Sequence, residues 1–180
     1  MSKGKKNKSK NKKIQDNKPK VNQNEVKSLN KYYNVAKVLL TLSPFVSLMY
    51  LSMSTAKLGL SLPQAIQQDP KLTVLFLVSM INPFIAYLLT FIQKKIEEND
   101  VKYAVTNLVM FIIAELLLQN ILYVILCGFI LYKTLKVYKV TIKDSFKSKV
   151  KDGLLVTISG SLVVIVLSSI CLFATIRISM

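Results

Sequence analysis

Hydrophobic positions along this chain gather in long blocks. Residues 1–31 are almost wholly polar, and nearly everything apolar lies after residue 32. The first block, YNVAKVLLTLSPFVSLMYLSMST, covers about 33–55, and the second, LTVLFLVSMINPFIAYLLTFI, about 72–92. A last block, LLVTISGSLVVIVLSSICLFATI, covers about 154–176. Each exceeds the ~20 residues that carry a helix across a ~30 Å hydrocarbon layer. Lipid offers backbone polar groups no outside partner, so such runs predict helices. The expected fold class is all-α, a polytopic integral membrane helix bundle. Between the first two blocks, AKLGLSLPQAIQQDPK holds Gly59, Pro63 and Pro70 and predicts a loop.

Region 104–132 admits two readings. As one helix its 29 residues would rise about 44 Å, long for a single span. As two, the arms extend to about 101–117 and 121–138, each reaching about 26 Å, with flanking lysines able to snorkel. The stretch IIAELLLQNILY at 112–123 then becomes either mid-membrane or a hairpin tip. Charge favours the hairpin. Residues 133–151 carry seven lysines, and cytoplasmic loops collect the lysine excess. With five crossings and the N-terminus inside, that loop joins the inner side, along with twelve lysines up to Lys37 and three in 93–103. Lys57, Lys71 and Arg177 then stand alone outside. With four crossings the seven-lysine loop moves outside. The hairpin reading places Glu115, Gln119 and Asn120 at a wetted or interfacial outer turn. The single-span reading puts Glu115 at mid-membrane.

Composition sharpens this picture. The chain has 180 residues, 52% of them hydrophobic, and mean hydropathy is +0.41. Net charge is +16, from 25 Lys and Arg against 9 Asp and Glu, and Arg177 is the single arginine. Lysine is a hydrated point charge suited to diffuse attraction, whereas bidentate phosphate recognition favours arginine. Residues 1–31 repel one another and have little to bury, so a disordered polybasic cytoplasmic tail is expected, followed by a transmembrane helical domain over 32–180. Ser2 rules out the myristoylation pattern, and the long polar lead without a small-residue cleavage site is unlike a secretory signal. The wealth of Lys, Asn and Ile points to an AT-rich, bacterial genome.

Catalytic chemistry finds little material. Histidine is absent, which removes the commonest general base and metal ligand. Cys127 and Cys171 both lie in apolar runs with no metal or redox spacing, and glycine-rich phosphate loops are missing. The expectation is a non-enzymatic protein with no catalytic, cofactor-binding or metal-ligating residues.

Three constellations remain. Ser43-Pro44-Phe45-Val46 is echoed by Asn82-Pro83-Phe84-Ile85, each proline being the twelfth residue of its block. Pro44 and Pro83 are candidate kinks that free the carbonyls of Leu40 and Ser79, with Ser43 and Asn82 as candidate partners for them. Glu115, Asn82 and Ser43 form a candidate intramembrane polar site if Glu115 lies at the same depth. In the 133–151 loop, Leu135, Tyr138, Ile142, Phe146 and Val150 recur at helical spacing. Lys133, Lys136, Lys143, Lys147 and Lys151 fall mostly off that stripe and are candidate contacts to an anionic surface. Small residues in the last block, Ser159, Gly160, Ser161, Ser168 and Ser169, predict close helix packing.

The expected function is an accessory or interaction subunit of the cell membrane, multi-pass with its N-terminus cytoplasmic. Its lysines would meet the anionic inner leaflet, a protein partner in the membrane, or RNA weakly through the tail, and self-association is a further outlet. The alternative is a small proton- or cation-linked transporter or channel subunit using Glu115.

Overall fold

The computed structural model describes residues 22–179, except 58 and 60; for Lys57, Lys151, Asp152 and Ser179 it describes the backbone alone. Residues 1–21, most of the expected tail, lie outside the described residues. Every regular element described is an α-helix: α1 (Gln23–Lys57), α2 (Leu62–Gln68), α3 (Pro70–Glu97), α4 (Val101–Leu117), α5 (Ile121–Tyr138), α6 (Ile142–Asp152) and α7 (Leu154–Ser179). Four helices, α1, α3, α5 and α7, are long and apolar enough to cross a membrane.

The first apolar block and the helix that contains it start at different places. Leu29, Tyr33, Ala36, Leu40 and Ser43 are buried at alternating spacings of four and three, a stripe that begins inside the polar lead. α1 therefore starts at Gln23, and residues 23–31 are helical. The presumed loop after the first block also contains a helix. α2 forms there because Gln64 Oε1 accepts from the backbone N–H of Ser61 at 3.1 Å and from its hydroxyl at 2.7 Å. Asp69 then caps α3 by accepting from the Lys71 N–H, with Pro70 at the first helical position.

Region 104–132 is not one helix. Its break falls at Leu118-Gln119-Asn120, without glycine or proline. Gln119 takes the left-handed conformation, φ 59, its N–H bonding Leu116 O while the Asn120 N–H bonds Glu115 O. This is the double reverse bond of a Schellman ending, usually built on glycine. The same device ends α3, with Asn99 at φ 65 and Asp100 N–H on Lys95 O. The 133–151 stripe is likewise interrupted: α5 ends at Lys139 in the left-handed region, φ 52, and α6 restarts after Thr141.

α4 is the central element. It packs against α3, α5, α6 and α7, and from Val101 to Glu115 most of its side chains are buried. α1 lies against α3 and α5, and α7 against α3 and α4. α7 turns inward a stripe of small and medium residues, Thr157, Ser161, Val164, Ser168 and Cys171, at spacings of four and three. Outward, α1, α3, α5 and α7 show large apolar side chains such as Phe45, Met49, Phe84, Ile125 and Phe173. An apolar exterior this extensive is foreign to water-soluble monomers and matches a lipid-facing belt.

At Gly160 the α3–α7 approach is close. A Cβ there would come within 2.9 Å of Leu88 Cδ2, a flexible side-chain end. Gly160→Leu is expected to destabilise the bundle in detergent through overpacking, by about 1–3 kcal/mol, read as a lower thermal midpoint. Adding Leu88→Ala should restore most of that loss; a double variant that melts no higher than Gly160→Leu alone would show the contact to be unimportant.

Candidate functional site

Two polar features interrupt the apolar bundle: a layer of buried side chains at mid-length and a lysine face at one end.

The register of the buried layer is set by Asn107 on α4. Its Nδ2 donates to Tyr103 O at 3.0 Å on its own helix and to Thr157 O at 3.1 Å on α7, and its Oδ1 accepts from the Ser161 hydroxyl. Each polar atom of this amide is used, so α4 and α7 are fixed at one level. Leu88 on α3 meets Gly160 at nearly the same level. Moving from there toward the α4–α5 tip, Glu115 lies about 12 Å along α4, Ser168 about 10–12 Å along α7 and Asn82 about 9 Å along α3. All three fall within about one helical turn of a common depth, on helices that pack pairwise.

Asn82 Nδ2 donates to Ser43 Oγ at 2.7 Å, joining α3 to α1. The two echoed Pro-Phe segments thus face each other, and both helices run through Pro44 and Pro83 without a break. The amide and hydroxyl bond one another rather than the freed Leu40 and Ser79 carbonyls. Glu115, expected to be wetted or interfacial at the turn, has an exposure of 0%, so the wetted alternative is not met. Asn120 Nδ2 donates to its Oε2 at 3.1 Å, across the hairpin ending. Schellman endings commonly place an apolar contact between these two positions. Here a carboxyl and an amide occupy them and tuck inward together. Gln119, by contrast, is exposed.

Three buried side-chain atoms have no hydrogen-bond partner among the described residues: Asn82 Oδ1, Glu115 Oε1 and Ser168 Oγ. Ser168 was read from sequence as a packing residue, and its small size gave no other signal. Beyond the tip, a groove of about 430 Å³ is bounded by Lys71, Val74 and Val78 of α3, Gln119 and Asn120, and Ile178 of α7.

At the opposite end, the predicted lysines separate into distinct environments. Lys133 Nζ sits 5.7 Å from the Tyr32 ring centre and 5.4 Å from that of Phe129, and these rings pack edge to face. Its charge is already engaged. Lys136 is exposed at the end of α5, and Lys143 and Lys147 are exposed on α6. The side chain of Lys151 lies outside the described residues. α6 is held to α4 by buried Ser145 and by Lys149 Nζ, 2.7 Å from Asp100 Oδ2. One step round the helix, Ile142 and Val150 remain 40% and 61% exposed. Lys102, Lys139 and Lys147 line a groove of about 480 Å³ with Thr141, Asp144 and Ser148. Lys102 and Lys139 entered the sequence reading only in the charge count and not as contacts, because they lie far apart in the chain and converge through folding alone.

Asn107→Leu is expected to cost about 1–2 kcal/mol in detergent, since it orphans the Ser161 hydroxyl and releases Thr157. Asn82→Leu should cost less, because half of that amide is already without a partner. Paired denaturation curves check the order; a larger loss for Asn82→Leu would contradict it.

Comparison with known protein families, curated proteins and solved structures gives no match.

Proposed function

We propose that this chain is a non-enzymatic integral protein of a bacterial cell membrane, crossing it five times with its N-terminus in the cytoplasm. It serves as an accessory or interaction subunit whose lysine-bearing inner surface rests on the anionic leaflet. The observation that carries this reading is α6. Its inner edge is fastened to α4, yet its apolar edge, Ile142 and Val150, stays uncovered beside exposed Lys143 and Lys147. A short basic helix with an uncovered apolar edge fits the plane of a headgroup layer. Each lysine near an anionic surface contributes about 1 kcal/mol of attraction. The groove among Lys102, Lys139 and Lys147 adds room for a lipid phosphate, with hydroxyls of Thr141 and Ser148 beside it.

Five crossings are supported by the α4–α5 break and by the lysines at 94, 95, 102 and 133–151, which this path collects on one side. α4 and α5 rise only about 26 and 27 Å, slightly under the hydrocarbon thickness. Their tip therefore stays below the ends of α3 and α7, as the groove lined by Lys71 and Ile178 also indicates.

Topology is tested with single cysteines introduced by Gln119→Cys or Lys147→Cys after Cys127 and Cys171 are replaced. In intact cells an impermeant maleimide should label position 119 and spare position 147. Labelling of 147 from outside defeats the five-crossing path. For the lipid contact, a fluorophore attached through Val150→Cys in nanodiscs should shift to the blue when phosphatidylglycerol replaces phosphatidylcholine. Lys143→Glu with Lys147→Glu should abolish most of that shift, and high salt should weaken it. Equal spectra in both lipids would refute the surface reading.

A further inference from the structure

The buried layer stands apart from the lysine face, and its chemistry goes beyond an accessory role. We infer that Glu115 Oε1, Asn82 Oδ1 and Ser168 Oγ form a site for one monovalent cation, a proton or a sodium ion, loaded from the groove beyond the α4–α5 tip.

The three oxygens are the buried side-chain atoms left without a partner among the described residues. They come from α4, α3 and α7, which pack against one another in pairs. Counting helical rise from the Asn107 fastening and the Gly160–Leu88 contact puts them within about one turn of a common depth. A carboxylate with one amide donor cannot remain charged in an apolar interior; it requires a proton or a cation. One carboxylate balances one positive charge, so a divalent ion would leave an excess. Carboxylate, amide and hydroxyl oxygens are also the donors that hard cations prefer.

No fixed cation competes for the place. α1 has no charged residue between Lys37 and Lys57, α3 none between Lys71 and Lys94, and α7 none from Leu154 to Arg177. On α4 the nearest charge is Lys102, and on α5 it is Lys133, far along each helix. The Cys127 thiol of α5 is the titratable group within electrostatic reach of Glu115.

Access comes from the tip. Asn120 lines the groove beside Leu118 and donates to Glu115, so this amide connects the groove with the carboxyl. Rotation of that amide opens a short path. Toward the lysine end, Asn107, Leu108 and Phe111 fill α4 and close the way to the layer.

The test is labelling of the full-length protein in lipid vesicles with dicyclohexylcarbodiimide, which adds to a protonated carboxyl. The carboxyl proton passes to the reagent's nitrogen, and the adduct gains the reagent's whole mass. Labelling at Glu115, located by peptide mass analysis, is expected at low pH in sodium-free buffer and absent in Glu115→Gln. If the proton is the ligand, the rate falls about tenfold per pH unit past its midpoint and sodium has no effect. If sodium is, added NaCl protects where choline chloride does not, and Asn82→Leu or Ser168→Ala weakens that protection. In oriented vesicles the response should follow the buffer on the tip side. No adduct under any condition, a rate indifferent to both pH and sodium, or a response to the α6 side alone would overturn the inference.

Discussion

The hydrogen bonds of Asn107 set the terms for the rest of the bundle. A fully used amide on the central helix ties α4 to Thr157 and Ser161 of α7 and admits no sliding. In an apolar setting a slip of one turn would strand the amide and the hydroxyl, each without water to replace the lost partner. That fixed register decides which side chains further along share a depth. Glu115 and Ser168 come to nearly one level for this reason, the Leu88–Gly160 contact brings Asn82 within about a turn of it, and Asn82 carries the layer on to Ser43 and α1. A polar contact near one end thus governs the chemistry at mid-length.

Long apolar blocks made the helical class readable, because they leave the backbone no alternative in lipid. The α4–α5 break was harder. No glycine or proline marks it, and lysine placement alone argued for it. Gln119 in a left-handed turn is a poor signal from sequence, since the conformation is held by Leu116 O and Glu115 O and not by the residue's preference. The burial of Glu115 was hard to read for a related reason. A carboxyl near a turn suggests water, but the reverse bonds fold Asn120 back over it. Ser168 was invisible because a serine that packs and a serine that binds look alike in a string of letters. Asn82 and Ser43 were recognised through the echo of their prolines, and their direct bond explains the echo better than the freed carbonyls do.

The lysine end shows how a charge count conceals differences in role. Lys149 is committed to Asp100 and fastens α6. Lys133 rests on two aromatic rings. Lys139 occupies a left-handed position that glycine would fill with less strain, and from there it joins Lys102 and Lys147 around one groove. The described lysine side chains of 133–149 thus divide into anchors, which are engaged by Asp100 or by aromatic rings, and exposed charges.

α1 extends well past Lys37, whose Nζ bonds Gln93 2.7 Å away and so marks a level beside Lys94 and Lys95. From there back to Gln23 the helix rises about 21 Å. Over that stretch Tyr32 lies against Lys133 and Phe129, and Glu25, Ser28 and Leu29 border a groove with Lys136 and Val137 at the end of α5. The first turns of α1 therefore stand level with the lysine end of α5, and the chain enters the bundle beside the same surface that carries Lys136.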